Sequence, residues 1–250
     1  MKIMMRNGYK FLGIIFLFIL WEFLSFIYPP ILIPSIERVF SSLIDLMISL
    51  EFWKDLGYTL GRVLVGFGLS LLIGSVLGLL AGFSKKIYEV IKPIFTVVES
   101  IPPIIWIIFA VIWFGLGHMP VIFAIMSIVT PIIFINFAQG VMDIDPDLIE
   151  MARAFSVKRS TELRHLYLPS ITGYFFSSLS IGLGFTWRVV IMAEFIGSMT
   201  GIGNKINWAM LNLTTDQVFA YTLFIVSLGM LIEFLLVKPL SNYSQKWKSR

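Results

Sequence analysis

Cysteine is missing altogether, histidine occurs twice, and charged residues make up only 14% of the 250 positions. Without cysteine there are no disulfides, thiolate metal sites or cysteine nucleophiles. The histidines, His118 and His165, fall on opposite sides of the membrane in the organisation derived below. The sequence holds no HExxH, no GxSxG and no GxxxxGK[ST] phosphate loop. Residues 197–203 are glycine-rich but lack the Lys-Ser ending that grips a nucleotide's phosphates. Work driven by ATP would therefore come from a separate chain, and no cofactor of the chain's own is expected.

What is present is apolar. Hydrophobic residues make up 58% of the chain, and mean hydropathy is +0.89. This composition belongs to an all-α polytopic membrane protein and leaves no room for a soluble catalytic domain of ordinary size. A formal charge of +4 is no sign of a nucleic-acid partner, because its distribution across the membrane says more than its sum. Residues 11–28 are too long, and lack the small-residue cleavage pattern, for a signal peptide; they read as a retained first span.

Six spans are expected within one transmembrane domain, residues 1–250: 11–28, 56–83, 93–114, 120–138, 171–190 and 218–237. With both termini inside, 14 of the 19 Lys and Arg residues fall in inner segments. Arg38, Lys54 and Lys205 lie outside, with Arg62 and Arg188 near outer membrane ends. That bias sets the orientation. Between the first two spans, Ser35 is placed to cap an amphipathic helix lying on the outer surface. The second span carries Gly66, Ser70, Gly74, Gly78 and Gly82, a four-residue ladder that predicts close helix packing. In the third, Pro102-Pro103 removes two backbone donors and predicts a bend. Ser84-Lys85-Lys86 reads as a short basic turn and His118 as an exposed loop residue.

Acids and bases inside apolar spans are costly and mark either pairing or a solute route. Glu22 is therefore expected to face protein or water. Glu99 beside the proline break, Trp187, Arg188 and Glu194 are the residues singled out for lining or gating a translocation path; Glu233 lies near the inner end of the last span. Arg188 and Glu194, six apart, share no clean helix face.

The longest polar block, residues 142–169, falls on the inner side. Asp145 can cap a helix opened by Pro146, with Leu148, Met151, Ala152 and Phe155 on one apolar face. Leu163, Leu166 and Tyr167 form a second face beyond a turn at residues 156–160. Two short amphipathic helices there suit a surface gripped by another protein. Asp143, Asp145 and Asp147 alternate by two, which splays their carboxylates apart on a helix and argues against a shared metal. Two further readings of the chain are a stand-alone proton-coupled carrier and a membrane enzyme using these acids.

At Glu150-Met151-Ala152, with Ser156 where glycine is usual and Leu168-Pro169 downstream, the block resembles the EAA loop of ABC importer permeases, the binding-protein-dependent inner-membrane components. Ile33-Pro34-Ser35, the Gly61-Arg62 region, Ile101-Pro102-Pro103, Trp187-Arg188 and residues 193–197 extend the likeness to the nitrate/sulfonate/taurine-type subfamily. The resemblance implies a type I importer fold with cytoplasmic coupling helices. It also implies a second permease subunit (a homodimer), two cytoplasmic ATPases holding ATP and Mg, and an extracytoplasmic solute-binding protein. The setting it implies is a bacterial or archaeal inner membrane. On that pattern Asp147, Glu150, Met151, Ala152, Arg153, Phe155, Ser156 and Arg159 would contact the ATPase. The solute would be a small organic anion such as a sulfonate, or alternatively a thiamine-precursor pyrimidine.

Overall fold

The structure is a computed structural model that describes residues 2–239; side chains are described from Gly13 on, except those of Ile14 and Leu236. The described residues are helical throughout, in the order α1 (Lys2–Ile27), α2 (Ile36–Ile48), α3 (Leu50–Phe83), α4 (Lys85–Ser100), α5 (Pro103–Phe114), α6 (His118–Met142), α7 (Pro146–Ala154), α8 (Arg159–Glu162), α9 (Leu168–Gly197), α10 (Ile202–Leu211) and α11 (Thr215–Ile232). Four helical stretches are long and apolar enough to cross a membrane, and α4–α5 together would make a fifth. Ser35 caps α2 as the sequence suggests, accepting the Arg38 N–H. Glu22, in α1, accepts the Ile36 N–H at 3.2 Å, so its carboxylate serves the next helix's first turn.

Helix α6 is the centre of the bundle, with Ile125, Val129 and Ile133 fully buried. Its close neighbour is α3, and the small-residue ladder is the reason. A Cβ on Gly74 would meet Ile133 at 2.8 Å, and one on Gly78 would sit 2.6 Å from the Phe134 carbonyl. Ser70 fits because its hydroxyl turns back to the Gly66 carbonyl, 2.8 Å away. The pairings climb together, from Gly66 on Ile125 to Gly82 on Val141, so α3 and α6 run parallel. The chain between them must therefore return from one end of the bundle to the other.

That return is made by α4 and α5, which are apolar enough to count together as one span broken where the sequence predicts a bend. Helix α4 starts at Lys85, leaving Ser84 alone as the turn where a basic turn was expected. The two helices meet at 93°. Ile101, ahead of Pro102, is forced to extended backbone (ψ 124°), and Pro103 opens α5. The Trp106 indole N–H closes the break by donating to the Val98 carbonyl at 3.1 Å. Helix α4 lays Tyr88, Ile91 and Phe95 around Phe134 and Ala138, crossing α6 near one level. The 12 residues of α5 rise about 18 Å, short of a hydrocarbon thickness of about 30 Å.

Helix α9 runs antiparallel to α6: Tyr174 lies against Gly140, and Gly197 against Pro120. The second short amphipathic helix expected in the polar block is not separate. Helix α8 continues through a wide turn, Leu163–Tyr167, directly into α9. A second wide turn, Glu233–Val237, extends α11. Each ends two residues before a proline, Pro169 and Pro239. A proline has no N–H and presses on the carbonyl four residues back. Widening the preceding turn, with Leu168 donating to Leu163 and Lys238 to Glu233, relieves that clash without breaking the helix.

Candidate functional site

The polar block forms one end of the bundle. Asp145 caps α7, its Oδ1 accepting the Asp147 N–H at 3.0 Å, with Pro146 next as the sequence suggests. The far end closes in a Schellman motif: Val157 N–H donates to the Ala152 carbonyl at 2.9 Å, and Ser156 N–H to Arg153 at 3.0 Å. The motif needs a left-handed residue, and Ser156 takes that role with φ 52°. Both ends of α7 are thus fixed by local hydrogen bonds, from the Asp145 side chain at one end and the backbone at the other.

One side of α7 holds the bundle through Ile149, packed on Val141, Ile144 and Tyr167. The apolar face expected from the spacing points away: Leu148 is exposed, Met151 is 52% exposed and Phe155 79%. Around it Asp147, Glu150, Arg153 and Arg159 are exposed, while Ala152 is half-buried. Beyond the turn, Glu162 is buried and pairs with Arg159 at 3.3 Å, its Oε1 without a hydrogen-bond partner. The Arg159 guanidinium lies 5.9 Å above the Tyr167 ring, which rests on Phe83. Arg159 is therefore both exposed and tied to the bundle.

At the opposite end sits a buried charge network. Arg62 is 2% exposed and Glu194 0%, and they pair at 2.6 Å. Glu194 also accepts from the Thr59 hydroxyl at 2.9 Å and from the Gly203 N–H at 3.0 Å. Arg62 uses its remaining donors on Thr200, twice at 2.7 Å, and on His118 Nδ1 at 3.0 Å. His118 is exposed as expected, but it is the first residue of α6 and a partner of Arg62 rather than a free loop residue. Gly201, at φ 101°, lies against the Glu194 carboxylate, where a side chain would collide with it. Nearby, Lys205 bridges Glu51 and Asp55. Burial alone would lower the Lys205 ammonium, but its hydrogen bond to Glu51 and the two acidic charges outweigh that, and its pKa is raised.

The four path residues are not brought together. Glu99 is exposed in the last turn of α4, and Glu194 is sealed in the network just described. Trp187 is 8% exposed, and its neighbour Arg188 is exposed. Both line a hollow between α9 and the end of α11. Among the described residues no ion pair joins Arg188 to Glu194 or to Glu99. Arg62, the partner of Glu194, was missed as a site residue. Two opposite charges inside apolar helices, both near the same membrane end, were the signal that could have found it.

Residues 70–237 match the family described as binding-protein-dependent transport system inner membrane component. The chain belongs to that family. This permease is 30% identical to the bicarbonate transport system permease protein of Synechococcus elongatus, over 73% of this chain and 66% of that one. It is 25% identical to the taurine transport system permease protein of Escherichia coli, over 82% and 76%. The chain thus spans about two thirds of the length of the bicarbonate relative. Among solved structures it resembles the MetNI methionine ABC transporter in an inward-facing conformation, with a TM-score of 0.58 and 19% identity, covering 74% of this chain and 93% of that one. The shared fold is the all-α, membrane-embedded permease fold. The family match takes in α6, the α7 block, α9 and the wide turn after α11, so the exposed α7 face lies inside it. Among the described residues no group of three or more acids and histidines could hold a metal ion.

Proposed function

We propose that this permease forms the membrane route of an ATP-driven importer for a small organic anion, and that residues 142–169 are its coupling loop. The observation that carries the proposal is the exposed face of α7. Leu148, Met151 and Phe155 stand apolar and unpartnered, ringed by Asp147, Glu150 and Arg153, on a helix locked at both ends. A rigid, two-ended, amphipathic knob suits a groove on a soluble partner, and two cytoplasmic ATPases, holding ATP and Mg, are that partner.

In this reading α1 and the broken pair α4–α5 complete six crossings, both termini lie in the cytoplasm with α7, and two copies assemble around the route. A solute-binding protein delivers to the opposite end, where the Arg62–Glu194 network braces α3 against the start of α10. Trp187, Arg188 and Glu99 face the route, and Glu194 acts on it through Arg62. The relatives named for bicarbonate and taurine handle solutes with an oxyanion group, which supports an anion such as a sulfonate. ATP closure of the ATPase dimer pushes on α7, and α9, continuous with α8, carries the push into the bundle.

The test is uptake into vesicles holding the permease with its ATPase. Transport that requires ATP hydrolysis, and falls to background when Glu150 and Arg153 are charge-reversed together, supports the proposal. Uptake without any ATPase would overturn it in favour of a stand-alone carrier.

A further inference from the structure

Two adjoining hollows of about 300 and 320 Å³ lie between α9 and the wide turn that ends α11. Arg188 and Glu233 line both. Neither has a hydrogen bond or an ion pair among the described residues, although they carry opposite charges and face the same space. The Trp187 indole N–H opens on it too. That side chain is 8% exposed, yet its Nε1 has no hydrogen-bond partner among the described residues. The nitrogen is open to the hollow rather than sealed, so it can donate to whatever occupies the space.

Two glycines keep the space clear. A Cβ on Gly229 would stand 2.8 Å from the Trp187 Nε1, and around Gly184 nothing lies within 4 Å of one. Ser180 is already engaged, donating to the Val237 carbonyl at 3.1 Å. Lys238, at the mouth of one hollow, lies over the Phe234 ring.

We infer that these hollows form a binding subsite for a small zwitterion, with its oxyanion end on Arg188 and Trp187 Nε1 and its ammonium end on Glu233. The inference rests on the importer reading and narrows its solute. A plain anion such as bicarbonate would satisfy Arg188 and leave Glu233 facing its negative charge. A plain cation would leave Arg188 and the indole N–H unmet. A solute carrying both charges completes an ion pair that the protein leaves open. The guanidinium fork and the indole N–H suit a group with several oxygens, and the volume suits a molecule of few heavy atoms.

The experiment is equilibrium dialysis on the full permease, assembled with its ATPase in lipid nanodiscs, against 2-aminoethanesulfonate, ethanesulfonate and ethylamine. The aminosulfonate is expected to bind at least about tenfold more tightly than either single-charge probe, the loss of one charge-assisted contact. Arg188→Gln should weaken aminosulfonate binding about tenfold or more. Glu233→Gln should bring it down to the ethanesulfonate level while leaving ethanesulfonate itself no weaker. The double exchange Arg188→Glu with Glu233→Arg should regain part of the loss, which a misfolded variant would not.

Equal affinity for aminosulfonate and ethanesulfonate, no binding by the folded wild-type assembly, or indifference to both single variants would overturn the subsite. ATP-driven uptake of ethanesulfonate without preference for the zwitterion would overturn it while leaving the importer standing. Zwitterion binding by a chain that joins no ATPase would overturn the importer and leave the subsite.

Discussion

Removing the Glu194 carboxylate should destabilise this protein more than any single change at its surface. At 2.6 Å and an effective dielectric near 20, the attraction between Arg62 and Glu194 is about 6 kcal/mol. Taking the two ions out of water costs several kcal/mol each, so the pair as a whole is close to neutral. Its parts are not. Glu194→Ala leaves a guanidinium 2% exposed with no counter-charge, and strands the Gly203 N–H. A loss of about 3–5 kcal/mol is expected. Arg62→Met should cost a similar amount, because Glu194 would then be the uncompensated charge. Arg62→Met with Glu194→Met should cost clearly less than the sum, since neither charge remains to be buried. Equilibrium unfolding in mixed micelles, run as a double-mutant cycle, measures the difference. Strict additivity, or a loss below about 1 kcal/mol for Glu194→Ala, would refute the claim that this network holds α3 to α9, because burial on this scale cannot leave a charge unpaired cheaply.

Ser156→Gly should leave the α7 turn as stable or more so, whereas Ser156→Val should cost about 1–2 kcal/mol because the left-handed position at φ 52° penalises a branched side chain; limited proteolysis of residues 142–169 reads the difference. Gly78→Leu should prise α3 from α6 and cost at least about 1–3 kcal/mol, while Gly68→Ala, with nothing within 4 Å of the added Cβ, should leave thermal unfolding unchanged. The raised pKa of Lys205 has a definite sign. Its contribution is full below the unfolded value near 10.5 and is lost as pH rises through the higher folded value. Wild type and Lys205→Met should therefore differ in thermal stability at pH 7 and at pH 9, and converge at stronger alkalinity; a difference that vanished below pH 9 would contradict the Glu51–Asp55 bridge.

The sequence read most clearly where one local rule dominated. The ladder from Gly66 to Gly82 announced a backbone approach that the structure places against α6, because small residues at one spacing have little other use in an apolar helix. Asp145 and Pro146 announced the start of α7 in the same way, and a position where related loops use glycine proved to need φ above zero at Ser156. What was hidden depended on three dimensions. A bend was legible at Pro102-Pro103, but a right angle was not, since its size is set by Tyr88 and Phe95 packing on α6. The continuity of α8 with α9 was hidden because a proline reads as a break, and here a widened turn lets the helix pass it. Arg62 and Glu194 are 132 residues apart, beyond the reach of any periodicity. Arg188, by contrast, was picked out for its charge alone, and its unpartnered state beside Trp187 and Glu233 is what gives that choice meaning.

The central claim is that α7 is gripped by the ATPase, and the absence of native cysteine makes it directly measurable. A single cysteine at Met151→Cys or Phe155→Cys, in the permease assembled with its ATPase, should form a disulfide or short cross-link to one partner residue and should be shielded from a membrane-impermeant thiol reagent until the ATPase is removed. Modification of the same cysteine from the opposite side of sealed vesicles, or full reactivity whether or not the ATPase is bound, would contradict the account.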